Sequence, residues 1–308
     1  MSPGDIVEGF YLLKSAAMAS LDPDETVLRI LLSDSTGEMD AVYREFAGEL
    51  DLASDIGRIV KIRGEVQQAS GTPLIDIRRI RLASDMDGYD LNDIVPVAPI
   101  DSLKELEFIQ NLVSTIEDDD YRRICENMLD RHVARFGAIP ASKTTHHCFI
   151  SGLLMHTGNM LRIADYLATE IYPYVVDRSL LLAGTLLHDF AKEKEYAFSD
   201  LGLITERSPE GLLLGHSAMG AEEVGRLGTA LGIPEPKTML LQHMILSHQE
   251  QGKNGAAVEP CIAESELLRI IDAMDSRMEI YSVSFENTEK GSFSKSIPAL
   301  GGKKIFNH

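Results

Sequence analysis

The stretch Leu186-Leu187-His188-Asp189-Phe190-Ala191-Lys192 ends an apolar helical pattern with an adjacent histidine and aspartate, and a lysine follows three residues later. Neighbouring side chains on an α-helix point about 100° apart, so His188 and Asp189 can bind one metal ion only at the edge or the end of a helix. A buried histidine beside a capping aspartate explains such a pair about as often. The stretch predicts a helical domain and leaves a metal site as one of two interpretations.

The remaining histidines favour the metal interpretation. Eight of the nine histidines lie between His132 and His248, and seven of these follow Ile139, where the chain is almost entirely helical in pattern. Helices are predicted over 148–170, 177–192, 216–231, 235–248 and 264–281. They carry further candidate ligands, namely His156, His216, His243, His248, Asp272 and Asp275. Imidazoles and carboxylates drawn from several bundle helices suit Mn, Fe, Co or Zn, whereas three cysteines without a CxxC pair do not form a structural zinc site.

Helical phase separates some of these histidines. His147 and His156 are nine residues apart, about half a turn out of phase on a straight helix, so we expect that they do not share a face. His243 and His248 lie roughly 140° apart, so only one of them is expected to bind a metal ion unless the helix ends between them.

The first 85 or so residues have a different pattern. Alternating, β-branched segments over 25–33 and 57–66 predict strands, and turn signals at 33–37 and at Ser70-Gly71-Thr72-Pro73 separate them from further short strands. About five strands in this length predict a small Greek-key barrel, with the OB-fold as first choice. A barrel that serves only for packing is the equal alternative.

The chain therefore divides into an OB-like barrel over 1–88, a linker over 89–100, a helical domain over 101–285 and a C-terminal tail over 286–308. Two prolines in Val95-Pro96-Val97-Ala98-Pro99 resist both helix and sheet, which marks the linker. Ser102 and Glu105 predict a capping box at the first helix. Glycines and a proline between Tyr196 and Gly215 predict a long loop or a small hairpin.

Composition bounds the class of protein. The 308 residues are 44% hydrophobic and 25% charged, and no apolar run reaches the roughly 18 residues of a membrane helix. The start lacks a signal-peptide pattern, so a cytoplasmic protein with no membrane partner is expected. A formal charge of −19 argues against tight nonspecific binding of a polyanion but does not exclude a local basic path.

Several motifs together resemble a known family. His156, His188-Asp189 and Asp272 resemble the H…HD…D signature of the HD-domain metal phosphohydrolases. With the barrel, nearly the whole chain resembles the YhaM-type 3′ to 5′ exoribonucleases, on the motifs Pro140-Ala141-Ser142-Lys143, His146-His147, Gly152-Leu153-Leu154-Met155-His156-Thr157, Leu214-Gly215-His216, His243-Met244-Ile245-Leu246-Ser247-His248 and Ala299-Leu300-Gly301-Gly302-Lys303-Lys304-Ile305-Phe306. Three positions depart from that family's usual residues: Met155 for Glu, Ala191 for Gly and Gln249 for His.

The resemblance implies a multidomain enzyme, an OB-fold barrel followed by an all-α HD bundle, that is a metal-dependent phosphodiesterase. The implied metal ligands are His156, His188, Asp189, Asp272, His216 and His248, with Asp189 and Lys192 as catalytic residues and with His147, His243, Asp275 and Arg277 in supporting positions. One divalent ion is expected, manganese first and Mg, Co or Fe as alternatives, and a second ion would lie beside His216 and His248. Such an ion lowers the pKa of bound water, which attacks phosphorus.

The implied substrate is single-stranded RNA, with short DNA as a second candidate, and the implied product is a nucleoside monophosphate. Candidate contacts to nucleic acid are Tyr43, Phe46, Arg63, Lys303 and Lys304, although the barrel's aromatic residues are more often core than stacking platform. Two alternatives stay open: a phosphohydrolase of a small nucleotide or cyclic dinucleotide, and a non-catalytic metal-binding adaptor. A homo-oligomer is a further expectation.

Overall fold

The computed structural model describes residues 2–22, 25–51, 54–69, 72–84, 86–143, 145–199, 201–249 and 256–308. The chain forms two compact units, one comprising 1–97 with 198–205, and the other 98–197 with 206–308. The boundary between Val97 and Ala98 falls inside the range proposed as a linker.

The N-terminal unit is a closed five-stranded barrel. Its strands are β1 (Ile6–Asp22), β2 (Glu25–Asp34), β3 (Gly37–Tyr43), β4 (Ile59–Ala69) and β5 (Thr72–Leu82). The order around the barrel is β1-β2-β3-β5-β4, in which only β3 and β5 run parallel. This is a five-stranded Greek-key closure, so the predicted OB-like barrel is confirmed. The predicted turn at Ser70 and Gly71 lies outside the described residues.

Strand β1 closes the barrel because it pairs on both sides. Its first part, Ile6 to Leu12, pairs with β4, and from Leu12 onward it pairs with β2, with a register shift between Leu13 and Ser15. Such a bulge increases the local bend of a strand. Alternate side chains fill the interior, among them Leu28, Ile30 and Leu32 of β2, none more than 2% exposed.

The second unit is the predicted helical bundle. Its helices are α1 (Ser102–Ser114), α2 (Asp119–Phe136), α3 (Gly152–Tyr166), α4 (Arg178–Leu187), α5 (Lys192–Glu195), α6 (Pro209–Leu213), α7 (Gly215–Leu231), α8 (Glu235–Ser247) and α9 (Ala263–Glu286). A π-helical turn, Leu167–Ile171, extends α3. Two short strand pairs complete the chain: β6 (Tyr196–Phe198) with β7 (Ile204–Arg207), and β8 (Ser292–Phe293) with β9 (Phe306–Asn307). None of the described helices is both long and apolar enough to cross a membrane.

Helix α4 is the centre of this bundle. Every residue from Ser179 to Leu187 is buried, as expected for a helix that is apolar around its whole circumference. It packs against α2, α3, α8 and α9. The end of α4 therefore lies where several helices converge, and that is where His188 and Asp189 follow.

The start of α1 differs from the predicted capping box. Asp101 is the N-cap, and its side chain accepts a hydrogen bond from the Lys104 backbone N–H at 3.2 Å. Ser102 is already helical, and Glu105 instead pairs with both terminal nitrogens of Arg162, at 2.5 and 2.8 Å. An aspartate one residue earlier was the stronger cap, because a carboxylate is at least as good an acceptor as a hydroxyl there.

Gly152, the first residue of α3, lies against the carbonyl of His147: a Cβ built there would be 2.2 Å from that oxygen. We expect Gly152→Ala to lower the stability of the helical unit by about 2 kcal/mol or more, because backbone must move. Gly220→Ala in α7 is the matched control, since its Cβ would meet Ile245 at an ordinary 3.5 Å and alanine favours helix. Denaturant unfolding followed by circular dichroism measures both, and equal stability of the two variants would contradict this account.

Candidate metal centre

The central residues of the site lie at the ends of two helices. Helix α4 ends at Leu187, so His188 is its C-cap and Asp189 lies in the following turn. The sequence pattern extended this helix to residue 192, but the pair projects from a helix end, as binding one ion requires. Helix α8 ends in the same way, with His248 as its C-cap.

Four buried histidines share one arrangement of their ring nitrogens. The Nδ1 atoms of His188 and His248 donate to the carbonyls of Thr185 and Ile245, each at 2.7 Å. The Nδ1 of His156 donates to Asp275 Oδ2 at 2.7 Å. The Nδ1 of His216 donates to Glu195 Oε2 at 2.5 Å.

In the neutral form of each ring the proton is on Nδ1, which leaves a lone pair on Nε2. A metal-binding histidine is usually held in this way, by an acceptor on the nitrogen that does not face the ion. The four acceptors fix both the tautomer and the direction of the four rings.

The carboxylate of Asp189 lies between two pairs of these nitrogens. Its Oδ2 is 3.2 Å from His188 Nε2 and 3.9 Å from His156 Nε2. Its Oδ1 is 3.2 Å from His216 Nε2 and 3.7 Å from His248 Nε2. Asp189 is therefore common to two sets of donors, one on each side.

The donor atoms fit a divalent metal ion. Three of them are buried and have no hydrogen-bond partner among the described residues: His156 Nε2, His188 Nε2 and Asp189 Oδ1. Unpaired buried polar atoms are costly, and a cation would satisfy them. In three groups the candidate ligand atoms lie within 4.8 Å of one another; two of them share Asp189, and the third lies on the far side of His156: His156-His188-Asp189, Asp189-His216-His248 and His147-His156-Asp275. Imidazole and carboxylate without thiolate is a donor set for Mn, Fe, Co or Zn.

Asp272 and Asp275, both on α9, have different positions. Asp272 Oδ1 lies 3.4 Å from His156 Nε2, on the side that faces the other donors. Asp275 contacts the opposite nitrogen of His156 and also accepts a hydrogen bond from the Asn159 amide at 3.0 Å. Asp275 orients His156, whereas Asp272 is placed to share its ion.

Lys192 is buried and paired rather than solvated. Its Nζ is 2.6 Å from Asp189 Oδ2, and its side chain is 10% exposed. Burial opposes the charge on Lys192, but Asp189 outweighs burial and raises the lysine pKa. Burial likewise opposes ionisation of Asp189, yet His188 and Lys192 together hold its pKa well below the usual range.

The two sides differ in charge. Burial opposes protonation of His156, but the Asp272 and Asp275 carboxylates outweigh it and raise the pKa of His156 to about 9. Burial, together with the nearby His188 ring, lowers the pKa of His248 to about 4. A metal ion at His156 would displace a proton from that side.

The expectation that His147 and His156 lie apart is wrong. Helix α3 starts at Gly152, so His147 precedes it in an irregular segment with φ of 47°. Its ring centroid lies 5.3 Å from that of His156, and its Nε2 is 3.5 Å from Asp275 Oδ2. Helical phase does not relate these two histidines, because the segment before α3 is not helical.

Other proposed site residues lie elsewhere. His243 Nε2 accepts a hydrogen bond from the Cys261 backbone at 2.9 Å and so connects α8 with the chain before α9. Arg277 is exposed on α9. Lys303 and Lys304 are exposed in the C-terminal segment.

In the barrel, Tyr43 is 5% exposed and its hydroxyl donates to Glu49 at 2.8 Å, which raises the pKa of the phenol, already raised by burial, to about 12. Phe46 packs against the same core, with its ring 6.3 Å from that of Tyr43. Tyr43 is therefore largely buried, and its role as a contact to nucleic acid stays a prediction. Arg63 is exposed on β4, 3.7 Å from Glu8.

Three residues that were not assigned to the site from the sequence lie at the centre. Glu195 is buried three residues after Lys192, on one turn of α5, a spacing that places both on one face. Gln249 Nε2 lies 3.0 Å from His216 Nε2. His146 is largely buried, and burial with the nearby Lys192 lowers its pKa to about 3, so it is neutral near pH 7. Its Nε2 has no partner among the described residues.

Comparison with known proteins agrees with this geometry. The HD domain family matches residues 153–277. The 3′-5′ exoribonuclease YhaM of Halalkalibacterium halodurans is 33% identical over 98% of this chain and 93% of its own length. The chain belongs to the YhaM family. The YhaM proteins of Listeria innocua and Bacillus subtilis are 31% and 29% identical, over 99% and 98% of this chain and 96% and 95% of theirs.

Among solved structures, the second OB-fold domain of replication protein A from Methanococcus maripaludis is similar to part of the chain. It covers 29% of this chain and 91% of that chain, at 16% identity and a TM-score of 0.23. The barrel of this YhaM-family protein is OB-like by its own strand order.

Because Asp189 is common to both donor sets, its substitution should abolish metal binding. At Mn²⁺ about 100-fold above its Kd, we expect the melting temperature of the wild-type helical unit to rise by roughly 5–10 °C. Asp189→Asn should show no rise, whereas His216→Gln should keep part of it through His156 and His188. Scanning calorimetry with metal analysis measures this. An unchanged rise in Asp189→Asn would contradict the assignment.

One further buried histidine, His132, lies outside the metal centre. His132 of α2 contacts Glu193 and Glu223, at 2.7 Å from Nδ1 and 2.9 Å from Nε2, and Glu223 also pairs with Lys194. The hydrogen bonds to Glu193 and Glu223 raise the pKa of His132 to about 9, and the bond to His132 lowers that of Glu223 to about 2. This cluster joins α2, α5 and α7 near the metal centre.

A raised histidine pKa stabilises the folded state below the unfolded pKa of about 6.5, and that stability is lost as the pH rises through about 9. We expect the free energy of unfolding of the wild-type helical unit to fall by at most about 3 kcal/mol over this window. His132→Gln should remove this contribution. Denaturant unfolding at several pH values compares the two proteins, and parallel curves would rule out the role of His132.

Proposed function

We propose that this protein is a metal-dependent 3′ to 5′ exoribonuclease that shortens single-stranded RNA and releases nucleoside monophosphates. The observation that carries the proposal is the arrangement of four imidazole Nε2 atoms around the Asp189 carboxylate. The names of the YhaM relatives, which span nearly the whole chain, support RNA as the substrate.

The residues of the centre have distinct tasks in such a reaction. A bound divalent ion supplies a Lewis acid for a phosphoryl oxygen and lowers the pKa of water toward neutrality. Asp189 offers one oxygen to each donor set and, with Asp272, provides the negative charge that holds a cation. The acceptors on the Nδ1 atoms keep the four rings aimed without rearrangement during the reaction.

Lys192 provides the fixed positive charge. Its Nζ lies 2.6 Å from Asp189 and carries its proton because the pKa is raised. Negative charge grows on the phosphoryl oxygens as phosphorus is attacked, and a fixed cation in a water-poor site stabilises that charge. Lys192 is therefore the residue that we assign to stabilise the transition state.

We propose manganese as the working ion. Four imidazoles and two carboxylates are a mixed donor set that suits Mn²⁺, with Fe²⁺, Co²⁺ and Zn²⁺ as chemical relatives, whereas Mg²⁺ prefers oxygen ligands. The same reaction assayed with each ion separates these choices.

We propose that a basic groove on the barrel guides the strand. A cavity of about 430 Å³ is lined by four basic residues of β4 and β5 and by two acidic ones, so that bases are in excess: Lys61, Arg63, Arg79 and Arg81 against Glu8 and Glu49. Arg63 and Arg81 keep about half of their side-chain surface exposed. A positive groove that follows the phosphate backbone is how single strands are bound without sequence preference. Local charge of this kind is compatible with the net charge of −19.

The test is degradation of 5′-labelled single-stranded RNA by metal-stripped protein to which Mn²⁺, Mg²⁺, Co²⁺ or Fe²⁺ is added in turn. We expect a ladder that shortens from the 3′ end, nucleoside monophosphates as products, and a loss of roughly 100-fold or more in Asp189→Ala. Single-stranded DNA and a panel of mononucleotides are run alongside. Untouched RNA together with a hydrolysed mononucleotide would replace the proposal with a small-nucleotide phosphohydrolase.

A further inference from the structure

A second cavity opens beside His216. It measures about 280 Å³ and is lined by Arg207, Leu212, Leu213, Leu214, His216 and Gln249, among others. His216 Nε2 is 3.2 Å from Asp189 Oδ1, so the cavity and the metal centre share this histidine as a wall. The volume is just below the roughly 300–1,000 Å³ of small-molecule sites, which suits one nucleotide rather than several.

One wall of the cavity is apolar and uncovered. Leu212, Leu213 and Leu214 are 69%, 83% and 59% exposed, although burial of an apolar side chain is favourable. Three consecutive exposed leucines at the edge of a cavity are typical of a binding surface rather than of a solvated loop.

The fold holds this wall in place. Ser208 caps α6 through a hydrogen bond from the Gly211 backbone at 2.9 Å. Gly211 lies so close to α5 that a Cβ would be 2.1 Å from the Glu195 carbonyl oxygen. The leucines that follow are therefore presented by a turn that is fixed against the residue that orients His216.

Arg207 adds a positively charged side chain to this otherwise apolar edge of the cavity. Its guanidinium lies 3.4 Å from Glu195 Oε1 and 5.9 Å from the Tyr196 ring centre, and 43% of the side chain is exposed. Glu195 thus joins a cation at the cavity to His216 at the metal centre. A planar guanidinium is well suited to a phosphate or a ribose hydroxyl.

We propose that this cavity holds the 3′-terminal nucleotide of the substrate, the unit that leaves as a nucleoside 5′-monophosphate. The base lies against Leu212 to Leu214, and Arg207 contacts the ribose-phosphate on the side toward His216. This inference rests on the proposed exoribonuclease function and names the binding site for its product.

The reaction balances around this placement. Water adds across the bond between phosphorus and the O3′ of the preceding nucleotide: its oxygen joins phosphorus, and its protons end on the new 3′ hydroxyl and the phosphate or solvent. The nucleoside 5′-monophosphate stays in the cavity until it dissociates. Leucine side chains read no hydrogen-bond pattern, so the site should accept all four bases, with purines bound more tightly because they cover more apolar surface.

The test is calorimetric binding of AMP and of ribose 5-phosphate to the full-length, Mn²⁺-loaded protein. Leu213→Ser should weaken AMP binding about 5-fold and leave ribose 5-phosphate unchanged, and Arg207→Gln should weaken both about 5- to 10-fold. Leu103→Ser is the control for the leucine, at 82% exposure on α1, and Arg226→Gln on α7 is the control for the arginine. Both controls should bind as the wild type does.

The outcomes separate this site from the proposed function. AMP affinity in Leu213→Ser and Arg207→Gln equal to the wild type, in a protein that degrades RNA, would overturn the site and keep the function. A wild-type protein that degrades RNA but does not bind AMP would do the same. AMP binding that depends on both residues, in a protein that leaves RNA intact, would support the nucleotide site and overturn the exoribonuclease.

Discussion

The burial of the Asp189 carboxylate is the constraint around which the helical unit is arranged. A carboxylate away from water costs several kcal/mol unless charges and donors surround it. Lys192 is in direct contact, four imidazoles from four regions of the chain converge, and Asp272 adds a second carboxylate on the side of His156. The surrounding helices can therefore exclude water from Asp189 only because they supply these charged and polar partners.

The C-terminal ends of α4 and α8 each combine a structural and a functional role. The last carbonyls of a helix lack partners within the helix. In both α4 and α8, the C-cap histidine returns its Nδ1 proton to the carbonyl three residues before it, Thr185 for His188 and Ile245 for His248. One hydrogen bond therefore satisfies a terminal carbonyl and aims a ring. This repeated device stands at the end of both helices, and α4 ends there although its sequence pattern would let it continue to residue 192.

Local patterns predicted the barrel, the bundle and the HD pair, because alternation, helical spacing and turn residues act within a few positions. They did not predict contacts between distant segments. Asp275, which orients His156, lies 119 residues away from it in sequence. Glu195, which orients His216, belongs to the segment Lys192-Glu193-Lys194-Glu195, whose alternating charges are typical of a solvent-exposed surface. His147 was misplaced because a positive φ in an irregular segment leaves no periodic signal. Tyr43 was ambiguous, since an aromatic residue in a barrel strand has the same pattern whether it points inward or outward.

The double pairing of β1 has a consequence for the beginning of the chain. Residues Ile6 to Leu12 cover one edge of β4, and the rest of the strand covers β2. Proteolytic trimming of these first residues would open the barrel and leave backbone groups on β4 unpaired, which is a template for strand pairing with another molecule. The N-terminal segment thus covers backbone groups that would otherwise be open to strand pairing with another molecule, and aggregates in sedimentation are the first expected sign of its loss.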